Sequence, residues 1–181
     1  MRALSVPHDA AGFRYNIFMT LQDFDRWLTH SDKCNLLLLN TLNRAPQTLE
    51  ASFETESDYN CVRKIMAHII GAEERWIKYR IGGEEIPVIY EQRAATDADG
   101  LFSDAATIRN QTREYLAGLK DEDLLRTIQV DMPRWNYSAT LTIEEVLFHL
   151  LTHETHHRGQ IIMALQRKEV DTPNLDYILI R

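Results

Sequence analysis

The sequence predicts an all-α protein, a four-helix bundle with long connecting loops. Three observations carry that prediction. Four long stretches place apolar residues at helical spacing, and only one short stretch has strand character. The stretches between them, roughly 15–20 residues, leave room for crossover connections as well as up-down neighbours.

Residues 1–14 carry no periodicity and read as an irregular N-terminal arm. From about Tyr15 to Leu42 the apolar positions Phe18, Leu21, Phe24, Leu28, Leu36, Leu39 and Leu42 recur at helical spacing, and Pro46 closes the segment. A second helix is expected from about Ser57, its N-cap, to Ile81. Its buried face is Val62, Ile65, Met66, Ile69, Trp76 and Ile77, and Gly82-Gly83 stops it. Glu84–Gly100, with Pro87 and a Thr-Asp-Ala-Asp-Gly run, reads as a loop long enough to cover something. A third helix follows from about Ser103 to Leu119, with Ile108, Thr112, Tyr115, Leu116 and Leu119 inward. Thr127–Thr140 fits either a short extended pair or an ordered loop. The fourth helix opens on the capping box Thr142–Glu145 and runs to about Arg167, with Val146, Leu150, Ile161 and Leu165 as its apolar face. Pro173 bars continuation, and Leu175–Ile180 is an apolar tail expected to dock on the body. Without repeats or an internal boundary, residues 1–181 are expected to form one domain.

Charge and composition narrow the function. The net charge is −7 with both signs scattered, and no Lys/Arg cluster offers a phosphate-tracking surface, so nucleic acid is not an expected partner. Apolar runs reach only four or five residues, far below the ~20 needed to span a bilayer, so no membrane association is expected. Met1–Phe13 lacks the apolar core of a signal peptide. Cys34 and Cys61 form neither a disulfide framework nor a CxxC site. These features predict a cytoplasmic protein acting on a small molecule.

The chemistry concentrates in the fourth helix. His149, His153 and His157 form one stripe, each a turn above the last, overlapping the apolar face. Buried imidazoles need a hydrogen-bond partner or a cation. Two of them at i, i+4 are a ready pair of metal ligands, and His68, on the apolar stripe of the second helix, is a candidate third. His156 lies off the stripe. Residues 153–157 also satisfy H-E-x-x-H, in which Glu154 would be the general base of a zinc protease. That pattern needs a further ligand, usually downstream; no histidine follows His157, and Glu169 is the only glutamate after it. Glu73, Glu74 and Glu154 are expected to be solvated helix charges, Cys61 a buried inert thiol, and Trp76 either a pocket wall or plain core.

The pattern His153-x3-His157-Arg158-Gly159-Gln160, with His68 inside Ile65-Met-Ala-His-Ile-Ile-Gly-Ala-Glu-Glu-Arg-Trp76, resembles the DinB/YfiT family of small metal-binding four-helix proteins. Asn35 and the closing Pro173…Asp176-Tyr177 also fit that family, and the likeness covers roughly residues 20–180. The resemblance implies His68, His153 and His157 as metal ligands, with zinc or nickel, or else iron or manganese, as the divalent transition metal. It implies relatives among thiol-dependent S-transferases and mycothiol-dependent isomerases, hence a low-molecular-weight thiol as co-reactant, and a possible homodimer. His149 falls outside the matched positions and is expected to support the ligands. Arg158 and Gln160 point away from the ligand direction and are expected to position or pack, with Gly159 permitting close helix approach. The leading expectation is a thiol-dependent S-transferase-like activity. Its rivals are metal-dependent hydrolysis by metal-bound hydroxide and a non-catalytic metal-binding or stress-related protein.

Overall fold

A computed structural model of the chain describes residues 19–52, 58–133 and 136–180. The expected N-terminal arm, Tyr15, Phe18 and the expected N-cap Ser57 lie outside the described residues.

The fold is mostly helical. Helix α1 spans Leu21–Arg44; Thr20 caps it, its hydroxyl accepting from the Asp23 amide while Asp23 answers from its side chain. Pro46 opens a short 3₁₀ turn, Pro46–Thr48, that ends it. Helix α2, Val62–Glu74, starts after Cys61, whose side chain makes no capping hydrogen bond, and passes without a break into a π-helical segment, Arg75–Ile81. Gly83, at φ +70°, then reverses the chain as no side-chain-bearing residue readily would. The predicted loop contains a short helix α3, Tyr90–Arg93. Helix α4, Ala98–Ala117, starts a turn and a half before Ser103 because the Asp97 side chain accepts from the Gly100 amide. Of the two readings of Thr127–Thr140, the extended pair forms: β1 (Thr127–Met132) and β2 (Tyr137–Thr142) pair antiparallel with Thr127 opposite Thr142. Helix α5, Ile143–Arg167, begins at the predicted Thr142–Glu145 capping box.

Helix α2 packs against α4 and α5, and α1 packs against α4. The apolar core has two parts. One gathers Leu38, Leu42, Val62, Ile65, Ile70, Leu101, Ile108, Ile161 and Leu165. The other gathers Phe24, Leu28, Ile77, Leu116, Ile143, Leu147 and Leu151. Between them each long helix contributes buried polar residues: Ser31 from α1, Glu73 from α2, Arg109 and Thr112 from α4, Glu154 and Arg158 from α5. In α1 this displaces the predicted stripe, so that Cys34 and Leu38 are buried while Leu36 is 58% exposed. The C-terminal tail departs from its expected docking. Leu175 packs on the core, but the 3₁₀ turn Tyr177–Leu179 buries none of its side chains fully, and Ile178 and Leu179 are exposed.

Candidate metal centre

Helix α2 faces α5, and that interface sets His68 opposite the His153–His157 edge. His68 Nε2 and His153 Nε2 are 3.0 Å apart, and one nitrogen from each of His68, His153 and His157 lies within 4.8 Å of the others. The rings meet edge-on, with His153 and His157 centroids 4.4 Å apart. A tetrahedral centre with metal–nitrogen distances near 2.0–2.1 Å separates its ligand nitrogens by roughly 3.3 Å. The three imidazoles are therefore close enough to converge on one transition metal.

The protonation of His153 and His157 suits the same reading. Burial, followed by the neighbouring His157, His68 and His149, pushes His153 down to about 3. Burial also lowers His157, despite the opposing bond from Gln160. Neutral imidazoles with free lone pairs are what a metal requires. Gln160 fixes which lone pair is free. Its Oε1 lies 2.7 Å from His157 Nδ1, while its Nε2 points to His156 Nε2 at 3.3 Å. The amide oxygen accepts the Nδ1 proton, leaving His157 Nε2 as the donor atom.

His68 is oriented from another element. The α3 carboxylate of Glu91 accepts both its close bonds from Arg75 Nη1, at 2.6 Å, and places Oε1 3.5 Å from His68 Nδ1, the outer reach of a hydrogen bond. His68 Nδ1 is buried and has no closer polar partner among the described residues. Burial would raise Glu91, but hydrogen bonds from His68 and Arg75 outweigh it and hold the carboxyl at about 2. Gly71 makes the arrangement possible: a Cβ there would stand 2.6 Å from Glu91 Oε2. Tyr59 stacks on the His68 ring at 3.9 Å.

The other candidates separate cleanly. His149 is exposed, its ring 5.4 Å from His153 and 5.2 Å from Trp76, outside the three-histidine cluster. Trp76 is half-buried, with the Arg80 guanidinium over its ring at 5.9 Å. Cys61 is buried and directed to Glu50. Gly159 does not serve close helix approach, since a Cβ there would meet nothing within 4 Å.

The three glutamates expected in solvent are instead buried, Glu73 at 9% exposure, Glu74 at 5% and Glu154 at 6%. Glu74 pairs with Arg93 at 2.6 Å. Glu73 takes a two-pronged bond from Arg109, at 2.8 and 2.9 Å, and accepts from Thr112. Glu154 accepts from Ser31 at 2.6 Å, pairs with Arg158 at 2.8 Å and meets Arg109 at 3.2 Å. Burial would raise the Glu154 carboxyl, but Arg158, Arg109 and the Ser31 bond overcome it and hold the group at about 2. Arg109 is likewise held charged, the glutamates outweighing its burial. A carboxylate so engaged cannot serve as a general base, so the geometry argues against the H-E-x-x-H protease reading. Sequence reasoning missed this layer and Glu91. For the layer a signal was present, since Glu73 and Glu154 stand on the apolar stripes of their own helices.

A mostly helical chain with three histidines gathered between two of its long helices is a candidate metal protein of a recognisable kind. The chain belongs to the DinB superfamily, whose family model matches residues 36–161, a span that includes the three histidines and Gln160. It is 28% identical over 168 residues to the uncharacterized protein YizA of Bacillus subtilis (strain 168), covering 92% of this chain and 91% of that one. It is 23% identical over 152 residues to protein DinB of the same strain, covering 79% and 84% respectively. The crystal structure of a DinB-like protein from Bacillus cereus ATCC 10987 shares the fold, with a TM-score of 0.69 at 18% identity, covering 87% of this chain and 99% of that one.

Proposed function

We propose that this protein is a metal-dependent enzyme of the thiol S-transferase type, a four-helix bundle whose His68, His153 and His157 hold a divalent transition metal, zinc or nickel foremost. The observation that carries this is the convergence of three imidazole nitrogens within 4.8 Å, two of the rings oriented from behind by Gln160 and Glu91. A metal bound by three such ligands keeps open positions and lowers the pKa of a thiol or water taken up there, giving a nucleophile at neutral pH.

The chain's own residues define how a substrate reaches the centre. Gln160 holds the Nδ1 proton of His157, so that ring stays in the tautomer that presents Nε2. Glu91 places a negative charge behind His68, which makes that ring a stronger electron donor. On the interior side, the cavity touching His153 is about 20 Å³, walled by Leu147, Leu150 and Leu151, room for about one water. Thiol and electrophile therefore approach from the solvent side of the α2–α5 edge.

Elemental analysis of the protein beside His68→Ala and His153→Ala tests the site: stoichiometric metal is expected in the first and loss in both variants. Incubation of the metal-loaded protein with small thiols and 1-chloro-2,4-dinitrobenzene tests the reaction, with thiol-dependent consumption expected. Turnover of esters without thiol would move the assignment to hydrolysis. Absence of stoichiometric metal would leave a non-catalytic protein.

A further inference from the structure

A second site lies across α5. On that helix Thr155, Gly159, Ile162 and Gln166 share a line roughly 160° round from the histidine stripe, and they form one wall of a groove of about 550 Å³. Trp27 and His30 of α1 and the returning tail at Pro173, Leu175 and Tyr177 complete it.

What distinguishes this groove is a surplus of donors. Among the described residues, Trp27 Nε1, His30 Nδ1 and Arg158 Nε are all buried without a hydrogen-bond partner. His30 and Arg158 are only 7% and 6% exposed. The indole and guanidinium nitrogens can only donate. His30 adds a third donor in the tautomer in which the Cys34 thiol donates to Nε2, 3.4 Å away, rather than to the Leu175 carbonyl at 4.0 Å, so that Nδ1 carries the ring's own proton. Buried donors are normally satisfied; here three that lack acceptors belong to residues lining one groove. Arg158 Nη2 is already engaged by Ser31 and Glu154, which leaves the Nε edge of the guanidinium for a ligand.

We propose that the groove binds a small organic carboxylate, its oxygens taken by Trp27, His30 and Arg158 and its body lying between Trp27, Ile162 and Tyr177. The charges favour a monoanion. Among the described residues that line the groove, Arg158 is the only Lys or Arg and is shared with Glu154, and Asp176 lines it too, so a phosphate dianion meets two carboxylates and a single guanidinium. The aromatic rings of Trp27 and Tyr177, whose centroids lie 5.6 and 5.0 Å from that of His30, provide flat walls for an apolar body.

The test is titration of the ¹⁵N-labelled, metal-loaded full chain with phenylacetate, 2-phenylethanol and inorganic phosphate, read at the Trp27 Nε1–H and Arg158 Nε–H resonances. Phenylacetate is expected to give saturable shifts at both, with 2-phenylethanol and phosphate far weaker. Trp27→Phe keeps the ring and removes one donor, so affinity read at backbone amides of Ile162 and Leu175 should fall about fivefold. His153→Ala, which dismantles the proposed metal centre, should leave phenylacetate binding intact, so failure of either site is seen separately. The proposal is overturned by no saturable shift, by equal response to the alcohol, by tighter binding of phosphate, or by unchanged affinity in Trp27→Phe.

Discussion

Replacing Arg109 by Met should be among the most damaging single changes in this protein. Arg109 is 4% exposed and its guanidinium holds Glu73 at 2.8 and 2.9 Å and Glu154 at 3.2 Å. Met fills similar volume but leaves Glu73 with Thr112 as its remaining partner, and Glu154 with Ser31 and Arg158. Removing one member of a buried ion pair costs about 3–5 kcal/mol, because the surviving charge stays desolvated. With a urea dependence near 2 kcal/mol per molar, the unfolding midpoint should fall by roughly 1.5–2.5 M. Equilibrium urea denaturation followed by circular dichroism measures this directly. The companion variant Arg109→Met with Glu73→Met should recover part of the loss, since it removes a stranded charge along with its partner. A midpoint shift below about 0.3 M, or a double variant worse than the sum of its parts, would refute the view that these charges are sealed between the helices.

Three further outcomes are expected from the same geometry. Gln160→Leu should weaken metal affinity about 10–100-fold while leaving the unfolding midpoint of the metal-free protein nearly unchanged, and His149→Ala should alter neither; competition with a chromogenic chelator reads the difference. Gly71→Ala, whose Cβ would stand 2.6 Å from Glu91 Oε2, should push that carboxylate off His68 and Arg75 and weaken metal binding in the same assay, with no comparable effect from Gly159→Ala, where the space is open. In acid, Glu91 and Glu154 are held at about 2 in the folded chain, below their ordinary value of 4.5. Their contribution to stability is therefore complete above about pH 4.5 and is lost as pH falls from there towards 2, and Glu91→Gln should flatten this acid limb in pH-dependent thermal melts.

Local chemistry made several features readable from the chain. The Thr142–Glu145 capping box and the apolar spacing beyond it defined α5 to its ends. The i, i+4 pair His153–His157, with His68 on a second apolar stripe, identified a cluster that the fold brings within 4.8 Å. Other features depended on partners far away in sequence or on weak local patterning. Asp97 looked like part of a polar loop, yet it caps α4; a capping aspartate differs from a loop aspartate only in the helix it starts, and the first turn of α4 is too polar to announce itself. Glu154 and Arg109 are 45 residues apart, and each alone looks like a solvated helix charge. Their positions on apolar stripes were the available clue. Glu91 gave no clue, because its role depends on α3 folding back over Gly71 and Arg75.

The polar layer between the two halves of the core also acts as an alignment key. An apolar helix face can slide along its neighbours by one turn, about 5.4 Å, and still find leucines to pack against. Here such a slip would set Glu154 or Arg109 among leucines and strand its partner, so α2, α4 and α5 share one axial register that the charges accept. Glu154 is covalently next to His153, and Glu73 lies five residues beyond His68 on α2. The pins that keep α2 and α5 from sliding thus also set the height at which their histidines meet.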